Sequence, residues 1–404
     1  MTIGERRRGI RGDAGFTLIE MLVSSAIMII VTGAIFSLMN PAQGAFRVQP
    51  EVSDVQQRLR VGIDTLQKDL VMAGAGTYNG EAAGALSYYI APIMPYRAFG
   101  DVTDPSQGVF FRDDVVSMVY VPNTAAQTTI SQAMPPKSVE MKVNDQPNCP
   151  PEKGSELCGF SEGTQAIIFD AEGNWDMFVI TQVQAPALHM QHREDSFTVG
   201  YEASSSLTEA VSAMYYLKTD EATKTYQLMY FDGWNVDLPV VDNVVKLQFQ
   251  YFGDPQPPVL TGKPLGKKPG PWTTYGPVPP LLGVVKGGYP AGENCTFRVD
   301  AGGVHVPRLD VLSVGGVGQV ELTKAELEDG PWCPDAAKPN RFDADLLRIR
   351  RVRATIRVQA AAASMRGPAS ALFTKGGTAT ASTRIIPDQE VQFDVTPRNL
   401  NLGR

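Results

Sequence analysis

The first forty residues change abruptly from a polar segment to a long apolar one. Residues 1–15 contain four arginines and two carboxylates, and among the 24 residues of 16–39 only Glu20 is charged. As a helix with a rise of about 1.5 Å per residue, 16–39 extends roughly 36 Å, enough to cross a hydrocarbon layer of about 30 Å. The arginines before this span favour a cytoplasmic N-terminus, so the rest of the chain is predicted to face outward.

A second apolar pattern, with helical spacing, follows the predicted span. Its members recur every three or four positions and so form one stripe on a helix: Val48, Val52, Val55, Leu59, Ile63, Leu66 and Leu70. Asp69 lies off this stripe, and Gly74 and Gly76 predict the end of the helix. We therefore expect a helix over 16–74 that is bent or interrupted at Asn40-Pro41 and packs on a globular head through its second half. A coiled-coil seam is the alternative use of the stripe.

The rest of the chain carries short apolar runs and alternating patterns that are typical of β-strands. The predicted strands are 109–111, 115–121, 165–169, 175–183, 213–217, 227–231, 244–251, 352–358 and 391–395. Several are separated by tight polar turns, which favours antiparallel pairing. The predicted fold class is therefore α+β, with a long N-terminal helix on a large antiparallel β-rich head.

A proline-rich segment interrupts this head. Nine prolines and four glycines lie in 254–282, a composition that no regular core element accommodates. We interpret 254–282 as a linker or long surface loop that separates a first head part, 75–253, from a second, 283–404.

Charge and composition narrow the functional classes. The chain has 36 basic and 43 acidic residues, a formal net charge of −7, which argues against a dedicated nucleic-acid binder. It has only three histidines, which disfavours a multi-histidine metal centre. Neither a nucleophile elbow nor another catalytic constellation occurs, so we expect a protein that is not an enzyme and needs no cofactor or metal.

The four cysteines fall into two local sets, Cys149 with Cys158 and Cys295 with Cys333. An outward-facing chain enters an oxidising compartment, which favours disulfides. Four cysteines allow three connectivities, and bridging within each local set is the favoured one. A zinc site is the alternative, disfavoured because the chain has no C-x-x-C pair.

Two further patterns of metal-binding residue types have simpler interpretations. One is an alternating acidic run at Asp170, Glu172, Asn174 and Asp176, which lacks the glycine and the distant glutamate of a calcium loop and favours a polar hairpin turn. The other is the pair His189 and His192, whose spacing could place both on one helix face. No third ligand completes the pair, so exposed loop histidines are expected.

A row of arginines near the C-terminus forms a predicted basic patch: Arg348, Arg350, Arg351, Arg353 and Arg357. Such a row on paired strands could bind DNA phosphates. The favoured interpretation is a solvated or ion-paired sheet face directed at an acidic neighbour.

The residues Gly15-Phe16-Thr17-Leu18-Ile19-Glu20, between the basic leader and the apolar span, resemble the class III signal of type IV pilins and pseudopilins. The resemblance implies that a prepilin peptidase removes the leader 1–15 by cutting between Gly15 and Phe16. It also implies N-methylation of Phe16, and a charge pair in the assembly between Glu20 and the Phe16 amine of a neighbouring subunit.

Three further segments resemble minor pilins of the PilW type: 66–74, 239–251 and 397–400. This resemblance implies a subunit that waits in the inner membrane, primes type IV pilus assembly and ends at the pilus tip on the cell surface. Its implied partners are other minor pilins, the major pilin and a PilY-like tip adhesin. The alternatives are a J-like pseudopilin of a type II secretion machine and a plain membrane-anchored β-rich binding protein.

Overall fold

The structure is a computed structural model of the 404-residue chain. It describes residues 15–76, 90–96, 114–123, 126–146, 157–170, 174–192, 197, 199–220, 225–257, 289–291, 293, 297–315, 318–333, 342–366 and 386–401. The chain divides into two compact units, residues 1–54 and 55–404.

Helix α1 covers Leu18–Met72 and continues through Pro41 and Pro50. The predicted interruption at Asn40-Pro41 is therefore wrong. A proline removes one helical hydrogen bond, and a helix of 55 residues keeps the bonds of the turns on both sides of it. Gly74 ends the helical region as predicted, with a φ of +75° in the left-handed region that glycine tolerates.

The described part of the head is β-rich and its named sheets are antiparallel. A five-stranded sheet has the order β1 (Ile93–Pro95), β2 (Val116–Tyr120), β9 (Val211–Asp220), β10 (Thr225–Phe231) and β11 (Asp237–Asp242). A six-stranded sheet has the order β3 (Gln127–Thr129), β8 (Ser206–Glu209), β5 (Gln165–Phe169), β6 (Trp175–Gln184), β7 (His189–His192) and β4 (Glu140–Lys142). This architecture confirms the predicted α+β class.

A four-stranded sheet has the order β15 (Val320–Leu322), β12 (Val244–Gly253), β18 (Ile349–Val358) and β19 (Gln389–Val395). Two short pairs complete the described strands: β13 (Phe297–Val299) with β14 (His305–Pro307), and β16 (Trp332–Cys333) with β17 (Phe342–Asp343). Short 3-10 helices lie at Ala185–Ala187, Ala344–Arg348, Ala363–Met365 and Arg398–Asn401.

The four-stranded sheet corrects the predicted division of the head. Strand β12 precedes the proline-rich segment and β18 follows it, yet the two strands pair from Val244 with Val358 to Gly253 with Ile349. One sheet therefore contains strands of both predicted head parts. Most of the segment 254–282 lies outside the described residues, as does the predicted strand 109–111.

The second half of α1 packs where the five-stranded and four-stranded sheets meet. Gly62 is buried, and a Cβ at this position would lie 2.7 Å from Ile356 Cδ1 on β18 and 3.4 Å from Val241 Cγ2 on β11. The stripe residues Val55, Leu59, Leu66 and Leu70 are all buried. Head packing therefore accounts for the stripe in this half of the helix, as the sequence predicts.

Asp69 differs from the prediction, because it is buried with only 7% of its surface exposed. The hydroxyl of Tyr215 on β9 donates to Asp69 Oδ2 at 2.6 Å, and Tyr120 on β2 also hydrogen-bonds this carboxyl group. Burial raises the pKa of Asp69, while the two tyrosines and the charge of Lys68 oppose the rise. The same environment raises the pKa of Tyr120 to about 12. A buried polar contact thus joins α1 to the five-stranded sheet.

We expect Tyr215→Phe to lower the free energy of unfolding by about 1–3 kcal/mol, because it removes a donor from a buried carboxyl group. Its neighbour Tyr216 provides the matched control, since its hydroxyl donates to the exposed Asp237 at 2.7 Å. Tyr216→Phe should change stability by less than about 0.5 kcal/mol. Urea unfolding of the full chain in detergent measures both, and equal losses would contradict a special role for the Asp69 contact.

Candidate functional site

The peptide bond between Gly15 and Phe16 lies in an open part of the chain. The Phe16 side chain is 83% exposed, and no atom of the described residues lies within 4 Å of the position that a Cβ on Gly15 would occupy. Packing within this chain therefore does not require glycine at position 15. A requirement for glycine there would come from an enzyme that binds this segment.

Thr17 and Glu20 form a capping box at the start of α1. The backbone N–H of Thr17 donates to Glu20 Oε2 at 2.9 Å, and its hydroxyl donates to the same oxygen at 2.8 Å. The backbone N–H of Glu20 in turn donates to the Thr17 hydroxyl at 3.3 Å. This reciprocal arrangement satisfies backbone donors that a helix start leaves free. Glu20 therefore has a local structural role that the sequence analysis did not identify.

The helix that follows is long and apolar enough to span a membrane. Its apolar segment Leu18–Ser37 has a mean hydropathy of 2.2, and none of it is buried within the chain. Glu20 lies inside this segment, as its third residue. A carboxylate in such a segment is costly in hydrocarbon and normally has a partner, which is Thr17 in the part of the chain that the structure describes.

The five C-terminal arginines do not form one exposed basic patch, and this expectation is corrected. Arg348, Arg350 and Arg357 are fully buried, with 0–2% of their surfaces exposed. Arg348 pairs with Asp345 and donates to the Pro255 carbonyl at 3.1 Å, while Arg350 pairs with Asp254 Oδ2 at 3.0 Å. Arg357, on β18, lies 3.8 Å from Asp388 Oδ2, so each of these three buried guanidinium groups has an acidic partner within the head.

The remaining two arginines are ion-paired on the sheet surface. Arg353 donates to both carboxylate oxygens of Asp394, at 2.7 and 3.1 Å, and Arg351 donates to the same residue at 3.0 Å. The hydrogen bond from Arg353 lowers the pKa of Asp394. Both guanidinium groups also lie over the ring of Phe252, at 4.0 and 5.1 Å from its centroid. Asp394 and Phe252 thus already contact the two guanidinium groups that would have to bind DNA phosphates. These contacts support the ion-paired interpretation.

The two histidines do not lie in a loop. Both belong to strand β7, where His189 is half-buried and contacts Glu140 Oε1 at 2.7 Å. His192 is buried between Phe178 and Phe197, whose ring centroids lie 5.4 and 4.4 Å from that of the imidazole. Burial lowers the pKa of His192. The imidazole is a component of the hydrophobic core of the six-stranded sheet.

The acidic run at 170–176 belongs to the hairpin that joins β5 and β6. The backbone and side-chain amides of Asn174 donate to Asp170 at 2.9 and 2.6 Å. Asp176 is buried and accepts a hydrogen bond of 2.7 Å from Tyr201. The polar-turn interpretation fits these contacts, and Glu172 lies outside the described residues.

Of the cysteines, Cys158 and Cys333 are buried, and neither is a free thiol. Cys149 and Cys295 lie outside the described residues. The pairing within each local set therefore stays a prediction.

An acidic cluster that the sequence does not reveal is formed by Asp329, Asp343 and Asp345, each of which has one carboxylate oxygen within 4.8 Å of those of the other two. Asp343 accepts hydrogen bonds from the backbone of Gly330 and Asp345, and Asp345 pairs with Arg348. Burial and mutual repulsion raise the pKa of Asp343 to about 8, and burial raises that of Asp345 to about 6. Strand β17 and the following 3-10 turn bring Asp343 and Asp345 close to Asp329, so the cluster is apparent only in the folded chain.

The burial of His192 predicts a specific pH dependence of stability. Its pKa in the folded chain lies below the ordinary value of 6.5, so the unfolded chain takes up a proton first as the pH falls. Stability contributed by the neutral imidazole is present above about pH 6.5 and is lost as the pH falls through the lowered pKa.

We therefore expect His192→Phe to reduce the loss of stability between about pH 7 and about pH 5. Urea unfolding across this range is the measurement. Gln191→Asn, on the same strand, changes no titratable group and is the control, which should keep the wild-type slope. An unchanged slope in His192→Phe would exclude His192 as the source.

One family model matches the chain. It is the prokaryotic N-terminal methylation motif, and it covers residues 10–36, of which 10–14 lie outside the described residues. Comparison with curated proteins and with solved structures found no match. The motif coincides with the exposed Gly15-Phe16 bond, the capping box and the apolar start of α1. The chain therefore carries the class III signal of type IV pilin-like and pseudopilin proteins, joined to an apolar helix long enough to span a membrane and to a large β-rich head.

Proposed function

We propose that this protein is a PilW-like minor pilin that primes type IV pilus assembly and resides at the pilus tip. The observation that carries the proposal is the methylation motif at 10–36, placed at the start of one continuous helix that enters a β-rich head. This combination provides an anchor, an assembly helix and an outward-facing domain in one chain. The proposed role is assembly, without catalysis.

In this proposal, prepilin peptidase cuts between Gly15 and Phe16 and N-methylates Phe16. Removing the leader, with its four arginines and two carboxylates, changes the formal net charge from −7 to −9. The new amine lies at the start of α1, close in sequence to the capping box. Glu20 then exchanges its contacts with Thr17 for a charge pair with the Phe16 amine of a neighbouring subunit, which sets the axial register in a low-dielectric filament core.

The proposed partners are prepilin peptidase, other minor pilins, the major pilin and a PilY-like tip adhesin. The mature subunit first resides in the inner membrane with its head outside the cytoplasm. The length and the extensive sheets of the head fit a subunit that presents surface to several neighbours.

Gly15→Val tests the cleavage site. A β-branched residue should block the peptidase without disturbing the fold, because none of the described residues packs against position 15. We expect an uncut precursor in membranes, detected by immunoblot against the wild-type mobility. Normal processing of this variant would place the cleavage elsewhere.

Two substitutions separate the charge of Glu20 from its capping role. Glu20→Gln keeps an acceptor for the Thr17 N–H but removes the charge, whereas Glu20→Ala removes both. If charge pairing drives assembly, both variants are cleaved and both are depleted from sheared pili by about tenfold or more, the effect of losing about 1.4 kcal/mol. Ser25→Ala, on the same exposed helix, is the control and should assemble normally. Normal incorporation of Glu20→Gln would assign the role to the cap.

Deletion of the gene tests the priming role itself. In a strain blocked for pilus retraction, we expect surface pili, quantified after shearing, to be lost and then restored by the wild-type gene. Unchanged pili together with a defect in exported proteins would instead support the secretion pseudopilin.

A further inference from the structure

The sheet edges of the head differ in how well they are protected against pairing with another strand. Natural proteins keep exposed edges short or interrupt them with proline, bulges or inward-pointing charges. Among the described strands, the edges β1, β3, β4 and β15 have only three residues each. The six-residue edge β11 contains Pro239, and its pairing with β10 shifts register after Leu228.

Within the residues that the structure describes, strand β19 has none of these protective features. It is seven residues long, it contains neither proline nor a basic residue, and it pairs with β18 in unbroken register from Gln389 to Val395. Its charged side chains, Glu390 and Asp394, are on the outer face, where Lys246 and the pair Arg351 and Arg353 contact them. A long, regular edge of this kind is a template for strand addition.

The inner face of β19 is only partly covered. Its alternate residues Val391 and Phe393 are half-buried, whereas their cross-strand partners Ile356 and Ala354 on β18 are fully buried. A groove of about 320 Å³ opens beside Gln389, lined on the other side by the second half of α1, including Leu59 and Ile63. An edge strand beside a helix-lined groove is the arrangement used for binding extended peptides by strand addition.

We propose that the outer edge of β19, which no other described strand pairs with, binds an extended segment of a different protein chain, which adds as a fifth strand to the four-stranded sheet. Apolar side chains of this segment cover Val391 and Phe393 and reach towards the groove. Its alternate side chains lie opposite Glu390 and Asp394 on the outer face and are neutral or basic.

A second copy of this chain is a poor occupant because of charge. Two β19 strands that paired antiparallel about Gln392 would place Glu390 of each copy opposite Asp394 of the other. Four carboxylates would then lie on one face, and like charges directly opposite one another destabilise a strand pair. The partner is therefore a heterologous strand.

This site goes beyond the proposed function, which specifies no surface of the head. It would stand equally if the chain served a secretion machine, and its test uses no other pilus protein. A negative strand-addition test would therefore exclude the β19 site alone, and a negative piliation test would exclude the priming role alone.

The test uses the full chain in detergent and the synthetic peptide Val-Lys-Val-Thr-Val-Lys-Val, whose residues match β19 in antiparallel register. We expect the peptide to slow amide hydrogen exchange across 389–395 and to leave 237–242, the proline-protected edge, unchanged. The acidic analogue Val-Glu-Val-Thr-Val-Glu-Val should bind roughly tenfold or more weakly. Absence of protection at 389–395, or equal binding of both peptides, would overturn the proposal.

Two variants keep the test specific. Val391→Lys places a charge under the added strand and should weaken binding of the basic peptide by roughly tenfold or more, whereas Leu238→Lys on β11 should not. Glu390→Lys leaves the core unchanged and should reverse the preference towards the acidic peptide, even if Val391→Lys fails to fold. If Glu390→Lys bound both peptides as the wild type does, the result would count against the site. Concentration-dependent dimers that Glu390→Lys alters would also count against it, because they would show that a second copy of this chain occupies the edge.

Discussion

A single carboxylate in an apolar helix constrains the N-terminal part of this protein. Glu20 lies in a segment with no other charge that is long enough to cross a membrane, and hydrocarbon disfavours an unpaired carboxylate. Within the chain, its partner is Thr17, which it binds as a capping box. This contact holds Glu20 in a defined position at the helix start, four residues after the Phe16 amine that cleavage would expose. The arrangement suits a charge that is held locally before assembly and paired between subunits afterwards.

The head joins its elements through buried polar contacts as well as apolar packing. Asp69 binds Tyr215, a residue 146 positions away, and this contact connects α1 to the five-stranded sheet. Arg348 and Arg350 similarly connect β18 and the turn before it to the chain around Asp254. Buried groups of this kind are costly when one partner is removed, so they specify one arrangement of elements.

Sequence patterns predicted the longer elements well, because period-2 or helical spacing over many residues is a strong signal. Strand β5 has the predicted bounds 165–169, and β10, β12, β18 and β19 lie within a few residues of the predictions. Strands of two to four residues, such as β16 and β3, carry too few positions to show a period. The methylation signal was predictable because its residues are contiguous.

The wrong predictions concern polar residues that were expected to be exposed and are buried. They have a common physical cause, because residues distant in sequence determine the burial of these side chains. Arg348 and Arg357 belong to the arginine row that was predicted to form a solvated or ion-paired sheet face. In the structure Arg348 lies in the 3-10 turn before β18 and donates to the distant Asp310 carbonyl, and Arg357 is buried beside Asp388. Asp69 is adjacent to the stripe residue Leu70, and only the approach of β9 makes it internal. His192 likewise becomes a core residue because Phe178 and Phe197 pack around it.

The most direct measurement is mass spectrometry of the N-terminal peptide of this chain, recovered from sheared surface filaments and, separately, from membranes. The account predicts a mature chain that begins with N-methylated Phe16 in the filament fraction, and an uncut chain when prepilin peptidase is deleted. A chain that keeps Met1–Gly15 in the presence of the peptidase, or that is confined to the membrane fraction, would contradict it.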